Sequence, residues 1–229
     1  MSEWWSYALS DFLLFSPRVY RRLFELQNEA VWPTQVLTLA AGVAIVILVL
    51  RRPRGHGLLI ALLLAGAWAF VAWSFFWQRY ATINWAAMYV APIFALEAML
   101  LLAIGVMFGR LTFDWRGARG LVGLLLIAFA FAGQPLLAPL AGRPLAGAEI
   151  FGIAPDPTAI ATLGLLLLAR GKWIGLLFQI PLFWCLVTGA TLWAMQAPEA
   201  WIPPCAALLA TAALFWPRHA RGTQVDASR

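Results

Sequence analysis

The chain has 229 residues, of which 63% are hydrophobic and 11% charged, with a formal net charge of +6 and a mean hydropathy of +0.82. Soluble domains run at about 45–50% apolar and about 25% charged residues, so these values exclude a soluble globular protein and point to one all-α, polytopic membrane domain. The 15 Arg and one Lys fall in short clusters between apolar runs, the pattern of loops beside an anionic leaflet and not of a nucleic-acid surface.

In chain order, residues 1–33 form an N-terminal aromatic segment and an interfacial amphipathic helix. The first residues are acidic where a signal peptide is basic, and no small-residue cleavage site follows; the segment is expected to be retained. Trp4, Trp5 and the run Phe12 to Phe15 precede Ser16-Pro17, a good N-cap followed by a good first helical residue. From Pro17 on, Val19, Leu23, Leu26 and Ala30 make an apolar stripe, with Arg18, Arg22, Glu25 and Glu29 off it. Arg21 and Glu25 form an attractive i,i+4 pair. This predicts a helix lying on the outer surface, ending at Trp32-Pro33, with Glu25, Asn28 and Trp32 as a candidate outer surface site.

Residues 34–216 form the helical membrane domain. Its predicted spans are Thr34–Leu50, Leu58–Trp77, Ala86–Phe108, Leu121–Leu140, a short fifth from Pro157 to Arg170, Trp173–Trp193 and Trp201–Trp216. Seven spans is the expected count, with six plus a re-entrant element as the alternative. Residues 217–229 form a tail. Arg51, Arg52 and Arg54, then Arg110, Arg116 and Arg119, then Arg170 and Lys172, then Arg218 and Arg221 occupy alternate loops. The positive-inside rule makes these cytoplasmic, giving N-out and C-in in a bacterial inner membrane. Arg18, Arg21 and Arg22 then lie outside, against the trend. Trp32, Trp73, Trp77, Trp85, Trp115, Trp173, Trp193, Trp201 and Trp216 fall near span ends as an aromatic belt, whereas Trp68 and Trp184 are deeper.

Two features point to a site. The fifth run has 14 residues from Pro157 to Arg170, roughly 21 Å where about 30 Å is needed. Asp156 is a fair N-cap for it, so "PLAGAEIFGIAPDP" before it must be irregular backbone at membrane depth. Such backbone requires cover from protein or a water-filled cavity, and buried helix N-termini of this kind shape ion sites in transporters; the alternative is a helix in a locally thin region, or one that continues past Arg170. The second feature is Glu97, near the middle of the third span. A charged acid there costs about 2.5–3.5 kcal/mol unless protonated or paired, so Glu97 is a proton relay, a cation ligand or a neutral packing residue. Glu97, Asp156, Asn84, Gln134, Arg79 and Tyr80 are the candidate transport or polar-cavity residues, and the cavity is expected to join Glu97 to the Pro155-Asp156-Pro157 break.

Catalytic and cofactor chemistries find little support. His56 and His219 lie in a loop and the tail, so a His-based metal site or triad is not expected. No nucleotide-binding loop is present, the last span has no Lys for retinal, and no span has a His for haem. Cys185 and Cys205 read as small buried thiols. No catalytic, cofactor or metal residue is assigned.

"SPRVYRRLFELQNEAVWPTQV", "FFWQRYATIN", "GRLTFDWRG" and "FGIAPDPTAIATLGLLLL" together resemble a family of uncharacterised bacterial integral membrane proteins, DUF6064. The family's Asn-x-x-x-Trp-Pro pattern is matched by Asn28, Trp32 and Pro33. Its later segment typically reads Phe-Gly-x-x-Pro-Cys-Pro-Thr, and this chain has Asp156 in place of the Cys. The resemblance implies architecture and draws attention to those two segments, without an activity.

The resulting expectation is a small-solute, proton or cation transporter using an intramembrane acid. The alternative is a non-catalytic accessory or assembly subunit of a larger membrane complex. Expected partners are the lipid bilayer, membrane-complex subunits or a homo-oligomer, and not nucleic acid.

Overall fold

A computed structural model describes residues 15–109 and 111–216. The aromatic residues up to 14, Arg110 and the tail from Pro217 on lie outside the described residues.

Helix α1 (Pro17–Ala30) starts where Ser16 and Pro17 predict, with Ser16 Oγ accepting from the Val19 N–H. The face it buries differs from the expected stripe: Tyr20, Leu23, Phe24 and Gln27 turn inward, while Val19 and Leu26 are exposed. Aromatic packing decides this. Tyr20 and Phe24 meet edge-on, Tyr20 packs on Phe15 and Tyr80, and Phe24 on Phe75, burying more area than the aliphatic stripe offers. Polar contacts fix the seat, because Gln27 Nε2 donates to Ser74 Oγ at 2.6 Å and Asn28 Nδ2 to the Ala146 and Ala148 carbonyls at 2.7 and 2.8 Å. The ion pair on this helix is Arg22 with Glu25, one turn apart, and not Arg21 with Glu25.

Five helical runs among the described residues are long and apolar enough to cross a membrane: Thr34–Arg51, His56–Thr82, Ala87–Met107, Gly117–Leu140 and Ile174–Ala194. They correspond to α2 (Thr34–Arg51), α3 (His56–Phe70) with a wider turn at Val71–Trp77, α4 (Ala87–Leu101) extended over Leu102–Met107, α5 (Gly117–Ala128) continuing into α6 (Gln134–Leu140), and α8 (Ile174–Ala194). The wide turn at Phe129–Gly133 lies just ahead of Pro135. It accommodates the hydrogen bond that a proline nitrogen cannot donate. Helices α7 (Pro155–Leu168) and α9 (Ile202–Leu214) have 14 and 13 residues, about 21 and 20 Å, and fall short of a full span.

Helix α7 is the axis of the bundle. Every residue from Phe151 to Ala169 is buried, and the helix is packed by α3, α5, α8 and α9. An element enclosed on all sides has no polar face to display, and this run is apolar apart from Asp156, Thr158 and Thr162, whose side chains are hydrogen-bonded inside the bundle. Close approach to α5 depends on two facing glycines. A Cβ on Gly123 would stand 2.6 Å from the Gly164 carbonyl oxygen, and one on Gly164 would stand 2.7 Å from that of Gly123. Small residues let helix backbones meet in this way.

The far end of α7 leaves the helix before Arg170. Ala169 and Arg170 form β2 (Ala169–Arg170), paired antiparallel with β1 (Thr112–Phe113). Beside this ladder Asp114 accepts from Arg52 and, at 2.8 Å, from Arg170. Burial opposes the Asp114 anion, but the Arg116 N–H and the two guanidinium groups outweigh it and hold its pKa below the ordinary carboxylate value. The nine tryptophans assigned to the belt are exposed, and Trp68 and Trp184 are buried. Cys185 is buried as expected; Cys205 is exposed instead, and neither is in a disulfide.

Candidate functional site

The segment that opens α7 is irregular, and protein covers it. The Ile153 and Ala154 N–H groups both donate to the Ile150 carbonyl, closing a tight turn. Gly152 sits in that turn at φ +76°, where a Cβ would meet Thr38 Cγ2 at 3.0 Å and Ala67 Cβ at 3.5 Å. Glycine is therefore required both for the left-handed backbone and for the space. Thr158 closes the motif, accepting from the Gly152 N–H at 2.9 Å and donating to the Ala154 carbonyl at 2.7 Å. One turn on, Thr162 donates to the Thr158 carbonyl at 2.7 Å and accepts from Trp68 Nε1 at 2.8 Å.

The helix begins at Pro155 with Ala154 as its cap, so Asp156 is not the N-cap that its position suggested. It lies inside the first turn, and its side chain points across to α8. Oδ1 accepts from Trp184 Nε1 at 2.7 Å and Oδ2 from Thr188 Oγ1 at 3.1 Å. Trp184 and Thr188 are four residues apart, hence on one face of α8. Thr188 is six residues before the end of α8 at Ala194, which places Asp156 about 9 Å inside that end of the bundle. The first-turn N–H groups of α7 add a favourable field for a negative group.

Other polar groups gather at the same end. The Tyr20 hydroxyl of α1 is within reach of Thr188 and feels Asp156, Tyr80 and Glu149. Burial, followed by those charges, raises its pKa well above the usual phenol value, so it stays a proton donor at neutral pH. Glu149 accepts from Gln134 Nε2 at 3.3 Å and lies within electrostatic reach of Asp156, Arg143 and Glu199. Arg143 pairs with Glu199 at 3.0 Å. The side chain of Asn84 contacts Tyr80, and its Oδ1 accepts from the Ala86 N–H at 3.0 Å at the start of α4.

Of the residues singled out in the sequence, Asp156, Tyr80, Gln134 and Asn84 thus belong to this end of the bundle. Arg79 lines a separate cleft of ≈270 Å³ with Trp32, Gln27 and Ser74. Glu25 and Asn28 both meet the 146–148 loop, since a Cβ on Gly147 would stand 3.4 Å from Glu25 Cγ and Asn28 donates to the Ala146 and Ala148 carbonyls, while Glu25 also pairs with Arg22 and Trp32 is exposed. Glu97 is fully buried, and neither of its carboxylate oxygens has a hydrogen-bond partner. Phe94, one turn before Glu97 on α4, packs on Trp68, Phe76 and Trp184, and the Trp184 indole holds Asp156. The two acids share no hydrogen bond and no hydrogen-bond partner.

Sequence reasoning missed Tyr20, Trp184 and Thr188 as partners of Asp156. Trp184 and Thr188 carried a readable signal, two polar-tipped residues at i,i+4 within an apolar span. Tyr20 carried none, since only the tertiary fold lays α1 over this end. Among the described residues no cluster of three or more His, Cys, Asp or Glu side chains could hold a metal ion.

Fold and site together define an all-α protein with five helices fit to cross a membrane and an acid seated at the buried head of a central short helix. The chain belongs to the family of unknown function DUF6064, whose model matches residues 18–224. No curated protein and no solved structure matches it.

Proposed function

We propose that this protein moves protons or small cations across the membrane, using Asp156 as the binding acid. The observation that carries the reading is the Asp156 carboxylate, 2% exposed yet held by two side-chain donors at a helix N-terminus. Those contacts satisfy part of the carboxylate and leave acceptor capacity for a proton or cation. A nearby second acid, Glu149, disfavours two simultaneous negative charges, so an added positive charge is welcome there. Tyr20, Thr188 and Asp156 supply hydroxyl, hydroxyl and carboxylate in sequence, a short relay from α1 to the head of α7.

In this reading α7 and α9 complete a seven-span topology, N-out and C-in, and α1 is a lid over the outer end. The lumenal dye of liposomes containing the purified protein would report acidification or cation entry driven by a gradient. Wild type is expected to conduct and Asp156→Asn to lose most of the flux; equal flux in both would end the proposal.

A specific surface favours the accessory-subunit reading as the second. An apolar groove of ≈490 Å³ runs along α3 and α4, floored by Ala69, Ala72, Ala91, Ala95 and Ala98 and edged by Trp73 and Trp77. Small residues flanked by large ones suit a neighbouring membrane helix. Stable copurification of a defined set of membrane subunits, with no flux from the isolated protein, would select it.

A further inference from the structure

A cleft of ≈870 Å³ opens between α1 and the loop that follows α6, lined by Ser16, Pro17, Arg18, Arg21, Arg22, Glu25 and Arg143. Its size is that of a site for an organic ligand. Its charge is unbalanced. Arg22 is taken by Glu25 and Arg143 by Glu199, but Arg18 and Arg21 enter no ion pair among the described residues. Two guanidinium groups thus line one cleft whose acid among the described residues, Glu25, is already paired with Arg22.

Arginine offers forked donors matched to phosphate oxygens, and such pairs are commonly bidentate. The setting specifies the source of the phosphate. Helix α1 exposes Val19 and Leu26 on the surface that also carries Arg18 and Arg22, and exposed Trp32 follows its end. Apolar side chains, a tryptophan and arginines together on one exposed helix surface suit the headgroup boundary of a bilayer. These are also the arginines that the positive-inside rule leaves on the wrong side in the N-out topology, where retention for a ligand accounts for them.

We infer that this cleft binds the phosphate headgroup of an anionic phospholipid, with Arg18 and Arg21 as the principal contacts and Arg143 at its inner wall. The site is separate from Asp156 and does not depend on a transport activity. Neither principal side chain enters an ion pair among the described residues, so their replacement removes no ion pair seen in the fold.

The test is native mass spectrometry of the purified full chain in detergent, titrated with phosphatidylglycerol, phosphatidylcholine or inorganic phosphate. Wild type is expected to retain phosphatidylglycerol selectively. With about fivefold contributed by each basic residue near a lipid surface, R18Q/R21Q should bind it on the order of 25-fold more weakly. The control R54Q/R116Q, at the opposite end of the bundle, should lose much less binding than R18Q/R21Q does. Unchanged lipid retention in R18Q/R21Q, equal loss in the control, or equal retention of phosphatidylcholine would each overturn the inference. Displacement of the lipid by millimolar inorganic phosphate, with phosphate itself bound, would reassign the cleft to a soluble phosphate and overturn the lipid assignment.

Discussion

Asp156 and Glu97 are both acids in the interior, 2% and 0% exposed, and they are treated in opposite ways. Asp156 stands at a helix N-terminus with an indole N–H and a threonine hydroxyl aimed at its oxygens. Glu97 stands in mid-helix among apolar neighbours with both oxygens unpartnered. Desolvation is common to the two; preorganised donors belong to one. The difference teaches where a buried charge can be carried: the head of α7 supplies donors to an anion, whereas the middle of α4 suits a neutral side chain.

The largest expected effect comes from removing the held acid. Asp156→Ala leaves the Trp184 and Thr188 donors without their acceptor, and each buried donor left unsatisfied costs about 1–3 kcal/mol. Thermal unfolding in detergent should show a clear fall in Tm; an unchanged Tm would mean that the network is not formed. Trp184→Phe keeps the aromatic packing on Phe76 and Phe94 but deletes one donor to the carboxylate. A hydrogen bond to a charged group contributes about 1.5–3 kcal/mol, so its Tm should fall between those of wild type and Asp156→Ala.

Glu97 is predicted to behave in the reverse sense. Because no donor is lost with it, Glu97→Gln should be near neutral, and Glu97→Leu neutral or stabilising by about 1 kcal/mol. A fall in Tm with Leu as large as that of Asp156→Ala would erase the contrast between the two acids. The smallest effect concerns the opposite end of the bundle. Since its partners depress the folded-state pKa of Asp114, the clamp with Arg52 and Arg170 stabilises fully above the unfolded carboxylate pKa of about 4 and is lost as pH falls through the lower folded value. A melting series from pH 6 down to 3 should show wild type losing more Tm than Asp114→Asn; parallel curves would remove the clamp from the account.

Much of the architecture was legible in the sequence because a bilayer imposes length and apolarity together. The starts of α1 and α2, the places of the five long runs, the tryptophan belt and the shortness of the fifth element were readable for that reason. The inward face of α1 was not, since Tyr20 and Phe24 are packed by Phe75 in the wide turn after α3 and by Tyr80 beyond it, which no local periodicity announces. The start of α7 was misplaced by two residues because Asp156 makes a good cap by type, yet tertiary donors on α8 recruit its side chain. The head of α7 was found from sequence as an irregularity. Its chemistry was not, because Trp184 and Thr188 are 28 and 32 residues away.

The central claim is that Asp156 binds the transported positive charge. Solid-supported-membrane recordings on reconstituted protein test it most directly, reading the charge displaced by a pH or cation jump. The account predicts a transient current in wild type, the same current in Glu97→Gln and none in Asp156→Asn. A current that survives in Asp156→Asn and disappears in Glu97→Gln would contradict it.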